Sequence, residues 1–165
     1  MSRAFIKENH LEHVGIDIPE RPLSNEPNYV TPNGLKILNE TINALEKERQ
    51  ILKQKKDEPI EKQKIAIIER DMRYFIARIE SAILTIPKDE DRSIVLFGAK
   101  VTVEDDEGTA SSFEIVGEDE AEISKGKVSY LSPLAEALIG AKLGEEVTWE
   151  RPIGDTYLTI RKIEY

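Results

Sequence analysis

Apolar residues along this chain follow two different periods, and the change from one to the other divides it. From Thr31 onward, Leu35, Leu38, Ile42, Leu45 and Leu52 recur in steps of three and four, with Arg49 in the one polar slot. Such a narrow stripe is the seam of a coiled coil rather than a broad globular face. Thr31-Pro32 sets a capping hydroxyl before a proline suited to the first helical position. A helix is therefore expected to start there and run to Lys55, a rod of roughly 35 Å at about 1.5 Å per residue. Lys56-Asp57-Glu58-Pro59 interrupts it, because proline disfavours helical geometry at Glu58 while suiting the start of a new helix. A second seam, Ile65, Ile68, Met72, Phe75, Ile79, Ala82 and Ile86, predicts an antiparallel partner, ended by Pro87-Lys88-Asp89-Glu90-Asp91.

After Arg92 the period falls to two. Ile94-Val95-Leu96-Phe97, Val101-Thr102-Val103 and Ser112-Phe113-Glu114-Ile115-Val116 read as strands, with Asp105-Asp106-Glu107-Gly108 as a hairpin turn. Ser132-Pro133 opens a short helix, Leu134 to Ile139, that Gly140 can close. Val147 to Glu150 and Tyr157 to Ile160 form a last hairpin around Pro152-Ile153-Gly154-Asp155. The expectation is an α+β chain: a helical hairpin over 31–86, then a small twisted antiparallel sheet with one short helix over 87–165. Residues 1–30, with Pro19, Pro22 and Pro27 and no period, read as an extended, poorly ordered arm.

Composition narrows the function. In 165 residues the formal charge is −9, which argues against wrapping duplex DNA. That charge is uneven: 31–86 holds 11 basic and 9 acidic side chains, against 9 and 18 in 87–165, so the hairpin is the basic part. No apolar run approaches the roughly 20 residues that span a bilayer, and the first residues lack the apolar stretch of a signal peptide, so a cytoplasmic protein without membrane contact is expected. The absence of cysteine excludes disulfides, thiolate metal sites and cysteine nucleophiles. His10 and His13, in the arm, are the only imidazoles and read as ordinary exposed histidines.

No phosphate loop, metal-ligand cluster or nucleophile elbow occurs. The hairpin tip is the place where chemistry could sit. Asp57, Glu58 and Glu61 lie within five residues there, among Lys47, Arg49, Lys53, Lys55, Lys56, Lys62 and Lys64. One reading is structural, with acids complementing the dipole at a helix start and capping it while lysines solvate a coiled coil. The other is that carboxylates on a narrow probe offer oxygen ligands to Mg²⁺, with the basic collar Lys53, Lys55, Lys56, Lys62 and Lys64 following a phosphate backbone. Trp149, Phe97, Phe113 and Tyr157 alternate with polar residues and read as core.

The segments Ile94 to Val103, Phe113-Glu114-Ile115-Val116-Gly117-Glu118-Asp119-Glu120-Ala121 and Ser129-Tyr130-Leu131-Ser132-Pro133-Leu134-Ala135-Glu136-Ala137-Leu138-Ile139-Gly140, followed by Gly144-Glu145, resemble the Gre family of bacterial transcription elongation factors. The resemblance implies a coiled-coil finger inserted in the secondary channel of RNA polymerase and an FKBP-like domain that docks through the surface at Ser132 and Pro133. It also implies tip carboxylates (Glu58 and Glu61, with Asp57 the weaker candidate) that contact the Mg²⁺ of the polymerase active centre, where the 3′ end of backtracked RNA is hydrolysed. The chain itself would then be no enzyme and carry no cofactor of its own. Glu58 and Glu61 keep an acid-x-x-acid spacing, but the rest of the usual tip motif is replaced, the finger is short, and the proline-containing arm is an addition. Short-finger relatives, including regulators of nucleoside diphosphate kinase, bind polymerase without cutting RNA and supply the alternative. A peptidyl-prolyl isomerase, suggested by fold analogy alone, is a remote third.

Overall fold

Thr31 begins the first helix as expected, its hydroxyl accepting from the Gly34 N–H at 2.9 Å. In the computed structural model, which describes residues 17–55, 58–87 and 92–165, α1 spans Pro32–Lys53 and α2 spans Pro59–Glu80. Lys56, Asp57, His10 and His13 lie outside the described residues. The seam forms as the spacing predicts: Leu38 and Ile68 are buried and Leu45, Leu52, Ile65, Met72, Phe75 and Ile79 are half-buried, the degree of cover that a two-helix pair can give. Arg49 occupies its polar slot by pairing with Glu46 at 2.8 Å and reaching across the hairpin to Glu69 at 3.5 Å.

The second helix ends earlier than its period suggests. Ser81 caps it, donating its N–H to the Ala77 carbonyl at 3.0 Å, so Ala82 and Ile86 leave the seam and Ile86 is 65% exposed. Pro87 disfavours helix at Ile86, and the β-branched Ile83 and Thr85 find extended backbone partners instead. β1 (Tyr29–Val30) and β2 (Ile83–Leu84) make a short parallel ladder, with Ile83 N–H on the Asn28 carbonyl at 2.8 Å and Thr85 N–H on the Val30 carbonyl at 2.9 Å.

That ladder redraws the three-part division into 1–30, 31–86 and 87–165. One compact unit combines Pro27–Ile37 with Ala82–Tyr165, and the other combines the described residues 17–26 with Leu38–Ser81. The proline-containing segment is accordingly not a loose arm over its described part. Val30 and Asn28 are buried in the first unit. In the second, Glu20 takes Arg73 Nε at 3.1 and 3.2 Å, and Arg21 lays its guanidinium 3.9 Å from the centroid of Tyr74.

Five strands form the main sheet: β3 (Lys100–Asp105), β4 (Ala110–Val116), β5 (Lys127–Ser129), β6 (Glu146–Trp149) and β7 (Thr156–Glu164), in the order β5-β4-β3-β7-β6. The sheet is mixed rather than antiparallel throughout, because β5 runs parallel to β4, Glu114 facing Lys127 and Val116 facing Ser129. A single 3-10 turn, Ile123–Lys125, closed by Gly126 at φ 70°, carries the chain into β5. The run Ile94 to Phe97 is not a strand. Ile94 makes one bridge to Lys142, and the chain then turns at Gly98, whose φ of 86° favours glycine. The short helix α3 (Pro133–Leu138) lays Leu134, Ala135 and Leu138 on a core that includes Val101, Val103, Ile115 and Ile160. Phe97, Phe113 and Trp149 pack against that core, whereas Tyr157 is 45% exposed. Among the described residues no helix is long and apolar enough to cross a membrane.

Candidate functional site

The tip is built from a helix end and a helix start. After α1, Lys55 N–H returns to the Leu52 carbonyl at 2.9 Å and Glu58 N–H to the Lys55 carbonyl at 3.3 Å. Glu58 takes the N-cap position of α2 with Pro59 behind it, and its carbonyl accepts from Lys62 N–H at 3.1 Å, yet its side chain makes no capping bond. That carboxylate is exposed, so the capping half of the structural reading does not apply to it. Glu61, in the first helical turn, is placed to complement the helix dipole. Its side chain is 17% exposed, with Oε1 3.8 Å from Lys64 Nζ and a buried Oε2 that has no hydrogen-bond partner among the described residues. Lys53, Lys55, Lys62 and Lys64 are all exposed at this end of the hairpin. Chemically, the described residues of the turn offer one exposed carboxylate, one largely withdrawn carboxylate and four exposed ammonium groups. Hard oxygen donors of this kind suit Mg²⁺ as one or two ligands in a larger set. No group of three or more His, Asp or Glu gathers as metal ligands among the described residues.

The surface at Ser132 and Pro133 has the rigidity that its sequence implies. Ser132 Oγ accepts from Ala135 N–H at 3.2 Å and Glu136 N–H bonds the Ser132 carbonyl at 2.9 Å, so the exposed Pro133 is held at the start of α3. The buried side of the same helix is anchored in the core.

A third cluster was not legible in the sequence. Glu120 sits buried beside the first turn of α1. It accepts from the Thr31 hydroxyl, from Asn33 Nδ2 at 2.8 Å, and pairs with Lys127 Nζ at 3.3 Å. Close by, the rings of Tyr29, Phe97 and Tyr130 pack edge to face or tilted at 5.4 to 6.0 Å, and the Tyr130 hydroxyl donates to the Pro27 carbonyl. Four acids crowd Glu118 to Glu122, and no period distinguishes the one that turns inward. The described arm also went unforeseen as a partner of α2, where Arg73 holds the Glu20 carboxyl below its ordinary range and is itself raised by that pairing.

Residues 90–165 match the family described as "Transcription elongation factor, GreA/GreB, C-term". The chain is similar to the transcription elongation factor GreB of Neisseria meningitidis serogroup B, 33% identical over 153 residues that cover 84% of this chain and 94% of that one. It is 40% identical to the transcription elongation factor GreA of Novosphingobium aromaticivorans over 88 residues, 53% of this chain and 56% of that relative, little more than half its length. Among solved structures, GreA factor homolog 1 of Thermus thermophilus superposes on 85% of this chain and all of its own at 20% identity, with a TM-score of 0.41, a level that bears on neither mechanism nor partner. The GreB likeness over almost the whole of that relative, joined to the C-terminal match, shows that the chain belongs to the GreA/GreB family of transcription elongation factors.

Proposed function

We propose that this chain is an accessory elongation factor that binds bacterial RNA polymerase, inserts the α1–α2 hairpin in the secondary channel, and modulates elongation by stimulating cleavage of backtracked RNA. The observation that carries this reading is the acidic turn of α2, in which Glu58 stands exposed at the cap position without capping. An exposed carboxylate with no structural task is free to add an oxygen ligand beside the polymerase's Mg²⁺, which supplies Lewis acidity and an activated water when bound. Asp57 belongs to the same acidic run as a weaker candidate. The collar of Lys53, Lys55, Lys56, Lys62 and Lys64 is suited by charge to the phosphates at the 3′ end of the backtracked RNA. Docking falls to the capped start of α3 at Ser132 and Pro133, remote in sequence from the tip, so binding and chemistry draw on different residues.

A second reading, a channel-binding regulator that does not promote cleavage, is favoured by Glu61, which is largely withdrawn and faces Lys64. Stalled, backtracked elongation complexes incubated with and without the protein separate the two. Faster release of short 3′ fragments supports cleavage stimulation; binding that leaves the cleavage rate unchanged supports the regulator; no binding contradicts both.

A further inference from the structure

Glu120 keeps 1% of its side chain exposed, and a carboxylate withdrawn from water is costly unless its oxygens are matched. Here both are. Oε1 takes the Thr31 hydroxyl, and Oε2 takes Asn33 Nδ2 and Lys127 Nζ. Two of these three partners are the N-cap and the second residue of α1, 89 and 87 positions away in sequence. Gly34, in the same turn, lets the helix close onto the acid, since a Cβ there would lie 2.9 Å from Glu120 Oε1.

Capping alone does not need this arrangement. Thr31 Oγ already satisfies the Gly34 N–H, and a solvent-facing threonine would do the same. What the buried acid adds is a fixed attachment of the first turn of α1 to the segment after β4 and to β5. The helix continues without a break for 22 residues, about 33 Å. A tilt of about 10° at its first turn would carry its far end through about 6 Å, where a misplacement of about 1 Å can already cost a factor of about 100 in rate.

We propose that Glu120 is a positioning residue of α1: through Thr31 and Asn33 it holds the first turn of the helix whose far end leads into the acidic turn. The inference rests on the reading of the chain as an elongation factor acting through that turn. Neither Thr31, Asn33, Lys127 nor Glu120 is proposed to touch polymerase, Mg²⁺ or RNA.

The test uses the full chain with Glu120→Ala, Glu120→Gln and Asn33→Ala. Asn33→Ala removes one bond and leaves the acid paired by Thr31 and Lys127, so it remains informative should Glu120→Ala fail to fold. Amide hydrogen exchange is followed at Gly34 and Leu35 against Val101 and Val103 in the sheet. The expected result is faster exchange by about tenfold or more at the first turn of α1 with the sheet unchanged. In cleavage of backtracked complexes, the rate at saturating factor should fall by about tenfold in Glu120→Ala, less in Glu120→Gln and Asn33→Ala, with under about threefold change in the half-saturating concentration. Unchanged exchange at Gly34 and Leu35 in a folded variant would overturn the proposal, as would a defect that saturating factor fully restores, which belongs to docking. If the wild type leaves transcription unaltered, the functional reading falls and the exchange comparison alone decides whether Glu120 sets the first turn.

Discussion

The starts of the two long helices treat their acidic neighbours in opposite ways. At α1, a threonine caps, an asparagine supports, and a glutamate from far along the chain is enclosed with every oxygen matched. At α2, a glutamate occupies the cap position with its carboxylate unused and exposed. Acid near a helix N-terminus is favourable in both places, so electrostatics alone does not distinguish them. Satisfaction does. A matched, buried acid serves the fold, whereas the acid at the exposed turn makes no capping bond and leaves its carboxylate open to solvent.

The sharpest way to break this contrast is to disturb the packing beside α1. A Cβ on Gly117 would lie 2.3 Å from the Tyr29 carbonyl oxygen, backbone that cannot swing aside as a side chain could, so Gly117→Ala should cost about 3 kcal/mol by chemical denaturation. A cost near zero would mean that β1 is not held against Gly117. Thr31→Val keeps the shape and removes the hydroxyl that both caps Gly34 and donates to Glu120. It should cost about 2 kcal/mol, and a value below about 0.5 kcal/mol would place the capping group elsewhere. Glu58→Gln, by contrast, should change stability by less than about 0.5 kcal/mol; a large loss would give that carboxylate a structural task after all.

The smallest expected effect is acid sensitivity of the hairpin. Arg73 lowers the Glu20 carboxyl and Arg49 lowers that of Glu46 from an ordinary value of 4.5. A depressed folded-state value stabilises above the ordinary value and is lost as pH falls through the depressed one. The Glu20 pair is exposed and the Glu46 pair half-buried at the surface, and both are screened by salt, so unfolding midpoints should slip slightly below about pH 4.5, less so in Glu20→Gln. A midpoint in Glu20→Gln that tracks the wild type at every pH would show that the Glu20 pair adds nothing.

Legibility in the sequence followed locality. Leu38, Ile68 and the Arg49 slot were readable because a coiled-coil seam is written in consecutive turns, and Ser132-Pro133 because a cap is decided within three residues. Tyr29–Val30 against Ile83–Leu84 is two residues on each side, too short for any period, and it shortened α2 by taking up backbone groups that the helical pattern had claimed through Ile86. The parallel β4–β5 pair was missed because Lys127–Ser129 is equally short. Glu120 was hidden for a different reason: its burial depends on Thr31 and Asn33, and nothing within its own acidic run records them.

The central claim, that the tip acts while other surfaces bind, is tested most directly by Glu58→Gln/Glu61→Gln in backtracked elongation complexes, with polymerase affinity measured on the same preparation. The account predicts affinity within about threefold of wild type and loss of nearly all cleavage stimulation at saturating factor. Full stimulation by the double variant, or loss that tracks weakened binding, would contradict it.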